Sequence, residues 1–144
     1  MLILREKGEN IIMNNLTKAR LLRKNYQQWK KDSLNSKGFF VVFNGFLEGN
    51  ILKKISGGAL KLYMFLGINS NNLTGESFYT VKQMSEYFET SERTISNWIK
   101  ELEKNNLIIR IQFKYNGVTH TFLNPYKTKK NRTAASSDNS FDPF

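Results

Sequence analysis

Few side chains in this sequence could take part in catalysis or bind a metal ion. It contains no cysteine and a single histidine, His120. A structural zinc site needs several nitrogen or sulfur ligands. A Ser-His-Asp arrangement would have to include His120, which falls in a predicted strand with no nucleophile motif nearby. Since the sequence also has no phosphate-binding loop or paired-carboxylate site, we expect no enzyme, metal or cofactor, and we interpret His120 as a surface residue of a hairpin.

The charge balance favours an acidic partner instead. Lys and Arg number 22 against 12 Asp and Glu, which gives a formal net charge of +10. Such an excess suits nucleic acid or an anionic membrane surface, although a merely basic soluble protein is the alternative. No apolar run approaches the roughly 18 residues of a membrane span, and no secretory signal is present. We therefore expect a cytoplasmic protein without a membrane partner.

Capping residues and apolar spacing predict the elements that must position the basic and polar side chains. Ser56, Thr80 and Ser91 are typical helix N-caps, and Asn116-Gly117 is typical of a type I′ hairpin turn. The predicted helices cover 16–31, 56–68, 80–88 and 91–105, and the predicted strands cover 39–43, 76–79, 107–115 and 118–123. The predicted organisation is a flexible N-terminus (1–15), a basic amphipathic helix (16–37), a globular domain (38–126) and a disordered tail (127–144).

Within the globular domain, the order of helix, short strand, helix, tight turn, helix and hairpin is that of a winged helix-turn-helix. The segments "ALKLYMFL", "SFYTVKQMSEYF" and "SERTISNWIKELEKNNLI" resemble the winged-helix domain at the N-terminus of plasmid and phage replication initiators and DnaD-type primosome proteins. They are also similar to bacterial winged-helix repressors. The expected fold is α+β, mainly α, with an extra N-terminal helix. No further globular domain follows the predicted hairpin, so we do not expect a self-sufficient initiator.

The resemblance implies that residues 91–104 form a recognition helix. Because Ile95, Ile99 and Leu102 would face the core, the other side of the helix would present polar and cationic side chains. Arg can bind a guanine with two hydrogen bonds and Asn can bind an adenine, while Ser, Thr and Lys can contact phosphates or base edges. An ordinary solvated helix face is the alternative. The candidate base- and phosphate-contacting residues are Arg93, Thr94, Ser96, Asn97 and Lys100.

Two further regions could contact DNA. Lys114 and Tyr115 lie near the hairpin tip, where they could meet phosphate or the minor groove, and a plain hairpin surface is equally consistent with the sequence. The N-terminal helix carries an apolar stripe of Leu22, Tyr26 and Trp29, which suits docking on the domain or dimerisation. The basic residues beside this stripe could contact phosphates, and they are Lys18, Arg20, Arg23 and Lys24. We expect Trp29 and Trp98 to be core residues rather than base-stacking platforms.

The end of the sequence, "SDNSFDPF", resembles the C-terminal tip of bacterial single-stranded-DNA-binding proteins. That resemblance implies partner binding through Phe141, Asp142, Pro143 and Phe144, with Phe144 in an apolar pocket. A chance ending of a polar tail is the alternative.

The sequence therefore predicts specific binding of double-stranded DNA, in replication of a mobile element or its regulation. One alternative is a transcriptional repressor. Another is a primosome-type protein-interaction module with weak, non-specific DNA binding. A homodimer and a replication protein bound by the tail are further candidate partners.

Overall fold

The computed structural model describes residues 3–6, 9–12, 14–36 and 38–127. The chain divides into two compact units, 1–39 and 40–144. Among the helices of the described residues, none is long and apolar enough to cross a membrane. The elements are, in chain order, β1 (Ile3–Glu6), β2 (Glu9–Ile12), α1 (Asn15–Leu34), α2 (Gly45–Glu48), α3 (Ile51–Lys54), α4 (Gly57–Ile68), β3 (Glu76–Ser77), α5 (Val81–Phe88), α6 (Glu92–Lys104), β4 (Ile108–Gln112) and β5 (Thr119–Leu123).

The first unit consists of a hairpin and one helix. β1 and β2 pair antiparallel with Ile3 opposite Ile12, whereas the sequence predicts a flexible segment there. The aliphatic residues of both strands favour such pairing. α1 begins after Asn14, whose side-chain oxygen accepts a hydrogen bond from the backbone N–H of Thr17 at 2.8 Å.

The prediction that Trp29 is a core residue is wrong, because its side chain is 62% exposed. Leu22 and Tyr26 are also exposed, and α1 has no buried residue. Within the described part of the first unit, no element covers this stripe, so its apolar spacing alone did not lead to burial.

The second unit is built on α4, α5 and α6, each of which starts at its predicted cap. Ser56 accepts a hydrogen bond from the backbone of Ala59, Thr80 forms a capping box with Gln83, and Ser91 caps Thr94. The apolar faces of these helices meet in one core. Its buried residues are Phe46, Ile55, Ala59, Leu62, Tyr63, Leu66, Met84, Ile95, Ile99, Leu102, Leu107 and Ile108.

A three-stranded antiparallel sheet, in the order β3-β5-β4, completes the second unit. Ser77 of β3 and Arg110 of β4 both lie opposite Thr121 of β5. Ile108, Ser77 and Thr121 are buried on the side of the sheet that faces the helices. The structure thus confirms a mainly helical α+β fold with the element order of a winged helix-turn-helix.

The strand predicted over 39–43 is wrong, since residues 40–43 form no strand. Phe40 packs edge-on against Tyr63, with ring centroids 6.1 Å apart, and its ring lies so close to Gly67 that a Cβ there would overlap it. The backbone N–H of Phe43 donates to the hydroxyl of Tyr126 at 2.6 Å. Without a neighbouring strand to pair with, the β-prone run is held by these side-chain contacts. The short helices α2 and α3 that follow were not predicted.

The hairpin between β4 and β5 is confirmed, but its predicted type I′ turn is wrong. A type I′ turn needs positive φ at both central residues, and Asn116 (φ 58°) has it whereas Gly117 does not. The strands end at Gln112 and resume at Thr119. The loop is therefore longer than two residues, and the backbone N–H of Gly117 donates to the carbonyl of Lys114 at 2.9 Å.

Candidate nucleic-acid interface

The turn between α5 and α6 sets the direction of α6 relative to α5. Glu89 ends α5 in the left-handed conformation, with φ 52° and ψ 45°. The backbone N–H of Thr90 then donates to the carbonyl of Ser85 at 3.1 Å, and Ser91 caps α6. Because Ser85 is buried, the start of α6 is tied to the interior of the domain.

α6 has one buried side and one exposed side. Ile95, Ile99 and Leu102 are no more than 5% exposed and face the core. The opposite side is exposed and carries Arg93, Asn97, Lys100 and Lys104, which follow each other at i, i+4, i+7 and i+11 and so share one face. Sequence reasoning missed Lys104, although the same helical spacing would have added it.

Thr94 and Ser96 lie at the flanks of α6 and are partly buried. The Thr94 hydroxyl is 2.9 Å from the hydroxyl of Ser91, so the Thr94 side chain takes part in the helix cap. Of the five residues predicted on this helix, the structure brings Arg93, Asn97 and Lys100 together on the exposed face. It places Thr94 and Ser96 beside that face.

Contacts to α4 hold α6 in place. The carboxylate of Glu101 accepts hydrogen bonds from the backbone N–H of Ser56 at 3.1 Å and from its hydroxyl at 2.5 Å. The Trp98 indole lies directly against Gly58 and edge-on to Phe88. Trp98 is thus a packing residue, as predicted, and the exposed face of α6 is presented by a fixed helix.

The loop between β4 and β5 carries the residues predicted at the hairpin tip. Tyr115 is 96% exposed, and Lys114 beside it is also exposed. The side-chain amide of Gln112 donates to the carbonyl of Gly117 at 3.1 Å, which braces the loop. Lys114 and Tyr115 are therefore free to contact a ligand that spans the hairpin.

His120 lies on the hairpin, as predicted, and it is partly buried with a hydrogen-bond partner. Its Nδ1 lies 2.5 Å from Oε1 of Glu76, and its ring contacts Phe78 and Phe113, with centroid distances of 4.7 and 4.2 Å. Ile109 and Ile111 are opposite Phe122 and His120 in the register, so they share this side of the sheet. We call this side the outer sheet face, which comprises Phe78, Ile109, Ile111, Phe113, His120 and Phe122.

Arg110 is a further candidate residue that sequence reasoning missed. Its Nε donates to the hydroxyl of Thr121 at 3.1 Å and its Nη2 to the carbonyl of Tyr79 at 3.3 Å. Burial lowers the pKa of its guanidinium below the ordinary value for arginine, and the charge of Glu103 acts against that shift. Strand alternation would have placed Arg110 on the helix-facing side of the sheet, but no pattern indicates these partners.

The remaining predicted residues do not belong to this surface. Lys18, Arg20, Arg23 and Lys24 are on α1 in the first unit, where all except the partly buried Lys18 are exposed. Phe141, Asp142, Pro143 and Phe144 lie outside the residues that the structure describes, so the predicted partner-binding tip stays a prediction.

Residues 53–108 match the family described as "Helix-turn-helix domain". No curated protein matches the chain. Three solved structures resemble it at 14% identity each. A MarR-like transcriptional regulator from Thermotoga maritima has a TM-score of 0.40, with 87% of this chain and 72% of that chain covered. A Rep–DNA complex has a TM-score of 0.48, with 79% and 96% covered. The N-terminal domain of a DNA-binding protein has a TM-score of 0.49, with 92% and 99% covered.

The family match spans the last residues of α3, the helices α4 to α6 and the first residue of β4. It supports DNA binding as the function of this segment. Residues 53–108 match a helix-turn-helix domain, and together with the hairpin of β4 and β5 they have the fold of a winged helix-turn-helix.

Proposed function

We propose that this chain binds specific sites in double-stranded DNA through α6, with the β4–β5 loop on the flanking backbone. We further propose that it serves replication of a mobile element or the regulation of that replication, and that it carries out no catalytic step. The observation that carries the DNA-binding proposal is the exposed face of α6. Arg93, Asn97, Lys100 and Lys104 share that face on a helix whose other side is fixed in the core.

Each of these side chain types has a defined task at a DNA groove. The major groove admits an α-helix and presents a distinct pattern of donors and acceptors for each base pair. Arg93 and Asn97 occupy the first half of α6, which is the part that contacts base edges in helix-turn-helix proteins. Lys100 and Lys104 extend the same face toward the C-terminal end of α6, where a cation suits the phosphate backbone.

The decisive experiment is fluorescence anisotropy of the full chain with three probes across a salt series. The probes are a random-sequence duplex, a single strand of the same composition, and duplexes selected by the protein from a random pool. The proposal expects a selected duplex to bind far more tightly than the random one, and to remain bound at physiological salt. Equal, weak binding to all three probes that vanishes as salt rises would contradict it.

A matched pair of variants assigns the binding to α6. Arg93→Ala combined with Asn97→Ala should abolish the preference for the selected duplex. Lys61→Ala removes an exposed charge of α4 that lines a groove with Met64 and Tyr87, and it should keep that preference. If both variants retain the preference for the selected duplex, α6 is not the element that recognises the DNA sequence.

The selected sites also separate replication from repression. A repressor is expected to bind a palindromic site in its own promoter as a dimer, because the two-fold symmetry of the protein is mirrored in the operator. A replication factor is expected to select repeats that occur at an origin. Mapping the selected sequence onto the DNA that surrounds the gene distinguishes the two.

The outer sheet face favours a second candidate function, a protein-interaction module. Phe78, Ile109, Ile111 and Phe113 are between 43% and 64% exposed on it, and contiguous exposed apolar surface is typical of interaction sites. Phe113→Ser should weaken association with a protein partner and leave duplex binding unchanged. If Phe113→Ser instead weakens duplex binding as strongly as the double substitution in α6, the outer sheet face no longer supports a protein-interaction module.

A further inference from the structure

The partly buried side chain of Arg110 is held in a fixed position by two hydrogen bonds. Its guanidinium donates to the buried Thr121 side chain from Nε and to the carbonyl of Tyr79 from Nη2. Tyr79 directly precedes Thr80, the cap of α5, and Thr121 lies opposite Arg110 in the sheet. The side chain therefore connects the sheet to the start of the first helix of the helix-turn-helix.

This cation has no ion-pair partner among the described residues, where the ion pair found is that of His120 with Glu76. A guanidinium has five N–H donors, and the two hydrogen bonds above leave donors unused. Both of its acceptors are uncharged. A partly buried charge without a direct ion-pair partner is costly, and that cost is offset when an anion binds beside it.

The guanidinium is also within electrostatic range of α6. Glu103 acts on it electrostatically without forming an ion pair. Ser96, Lys100 and Glu103 follow each other at i, i+4 and i+7, so they share one flank of α6. Arg110, in the middle of β4, is thus within electrostatic range of the flank that borders the exposed face of this helix.

We propose that Arg110 binds a phosphate of the DNA backbone at the junction between α6 and the hairpin. A phosphate supplies the ion-pair contact that Glu103 does not make, and its oxygens suit the planar fork of a guanidinium. Because Thr121 and Tyr79 already hold the side chain, little rotamer freedom is lost when the phosphate arrives. This inference rests on the proposed function, since it needs a chain that binds duplex DNA.

The test compares the salt dependence of binding between three variants and the wild type, with a random-sequence duplex as the probe. Arg110→Gln removes the charge and Arg110→Lys keeps it without the fork, while Lys61→Gln removes one exposed charge from α4. Each phosphate contact contributes about one to the slope of the logarithm of the affinity against the logarithm of salt concentration. A residue with a purely structural role would not change that slope.

We expect Arg110→Gln to reduce the slope by about one and to weaken binding at low salt about tenfold. Arg110→Lys should retain the wild-type slope with a smaller loss of affinity, and Lys61→Gln should behave as the wild type. Thermal unfolding of each variant reports its loss of stability separately. An unchanged slope in Arg110→Gln, with the wild type binding the duplex, overturns the inference and leaves the proposed function standing.

A measurement on the wild type covers the case in which Arg110→Gln does not fold. The Nε–Hε resonance of Arg110 can be assigned by its loss in Arg110→Lys, and it should shift on addition of the duplex. If that resonance stays in place while the resonance of Arg93 moves, the inference is overturned. If the wild type binds no duplex at all, the proposed function itself fails.

Discussion

Glu101 of α6 holds Ser56 at the start of α4 with both oxygens of its carboxylate. Oε1 accepts from the backbone N–H at 3.1 Å and Oε2 from the hydroxyl at 2.5 Å. The same hydroxyl accepts from the backbone N–H of Ala59 at 3.2 Å. One serine thus caps α4 and binds α6, so the position of the exposed face of α6 depends on this pair.

Replacement of Glu101 by Ala should lower the free energy of unfolding by about 1–3 kcal/mol, because hydrogen bonds to a charged group are lost and Ser56 is left without its acceptor. Glu86→Ala, at an exposed carboxylate of α5, should change it by less than about 0.5 kcal/mol. Urea denaturation measures both. Equal effects of the two substitutions would show that the contact between Glu101 and Ser56 adds nothing to stability.

The neighbouring glycines Gly57 and Gly58 offer a matched pair. A Cβ at Gly58 would overlap the Trp98 indole, whereas at Gly57 it would meet nothing within 4 Å. Gly58→Ala should therefore destabilise the domain by about 1–3 kcal/mol. Gly57→Ala should be neutral or stabilise it by up to about 1 kcal/mol. Thermal unfolding would contradict this packing if Gly58→Ala melted at or above the wild-type temperature.

On the exposed face of α6, we expect some residues to contact bases and others to contact phosphates. Arg93→Ala and Asn97→Ala should each cost about 1–3 kcal/mol in binding to a selected duplex and relax the preference at one position, because each would lose contacts to a base edge. Lys104→Ala should weaken binding to all sequences alike, as expected for a phosphate contact. Titrations with selected and single-substituted duplexes measure this difference. A uniform loss in all three variants would contradict base reading by Arg93 and Asn97.

Alkaline pH should unfold the second unit through Tyr63 and Tyr126. Burial raises the pKa of both hydroxyls above the ordinary 10.0. Since the folded pKa is the higher one, the stability that this contributes is complete below about pH 10 and is lost as the pH rises further.

Urea midpoints measured from about pH 8 to about pH 11 test this dependence. Tyr63→Phe keeps the ring that stacks on Phe46, with centroids 5.3 Å apart, and removes the hydroxyl. It should match the wild type within about 1 kcal/mol at about pH 8 and lose less stability as the pH rises. An equally steep fall in the variant would show that Tyr63 does not cause the alkaline loss.

Local interactions explain why much of the domain could be predicted. Ser56, Thr80 and Ser91 act on N–H groups three residues away, so a cap can be read from a few neighbouring letters. The spacing of Ile95, Ile99 and Leu102 likewise defines the buried side of α6, and with it the exposed positions of Arg93, Asn97 and Lys100.

One error arose where distant partners decided the outcome. Phe40 and Phe43 have a strong strand tendency, yet Gly67 and Tyr126 hold them in an irregular segment. Trp29 lies in a regular apolar stripe that stays exposed, because spacing shows which side of a helix is apolar and not whether another element covers it.

The sequence by itself determined the three helices, their caps and the hairpin, because those features depend on residues that are close in the sequence. It also determined the excess of positive charge, because that follows from composition alone. Only the tertiary structure decided that Glu101 binds Ser56, that His120 pairs with Glu76, and that Arg110 donates to the carbonyl of Tyr79. Glu101 and Ser56 are 45 residues apart in the sequence, and His120 and Glu76 are 44 residues apart. Arg110 and Tyr79 are 31 residues apart. At such separations the packing of whole elements decides which side chains meet.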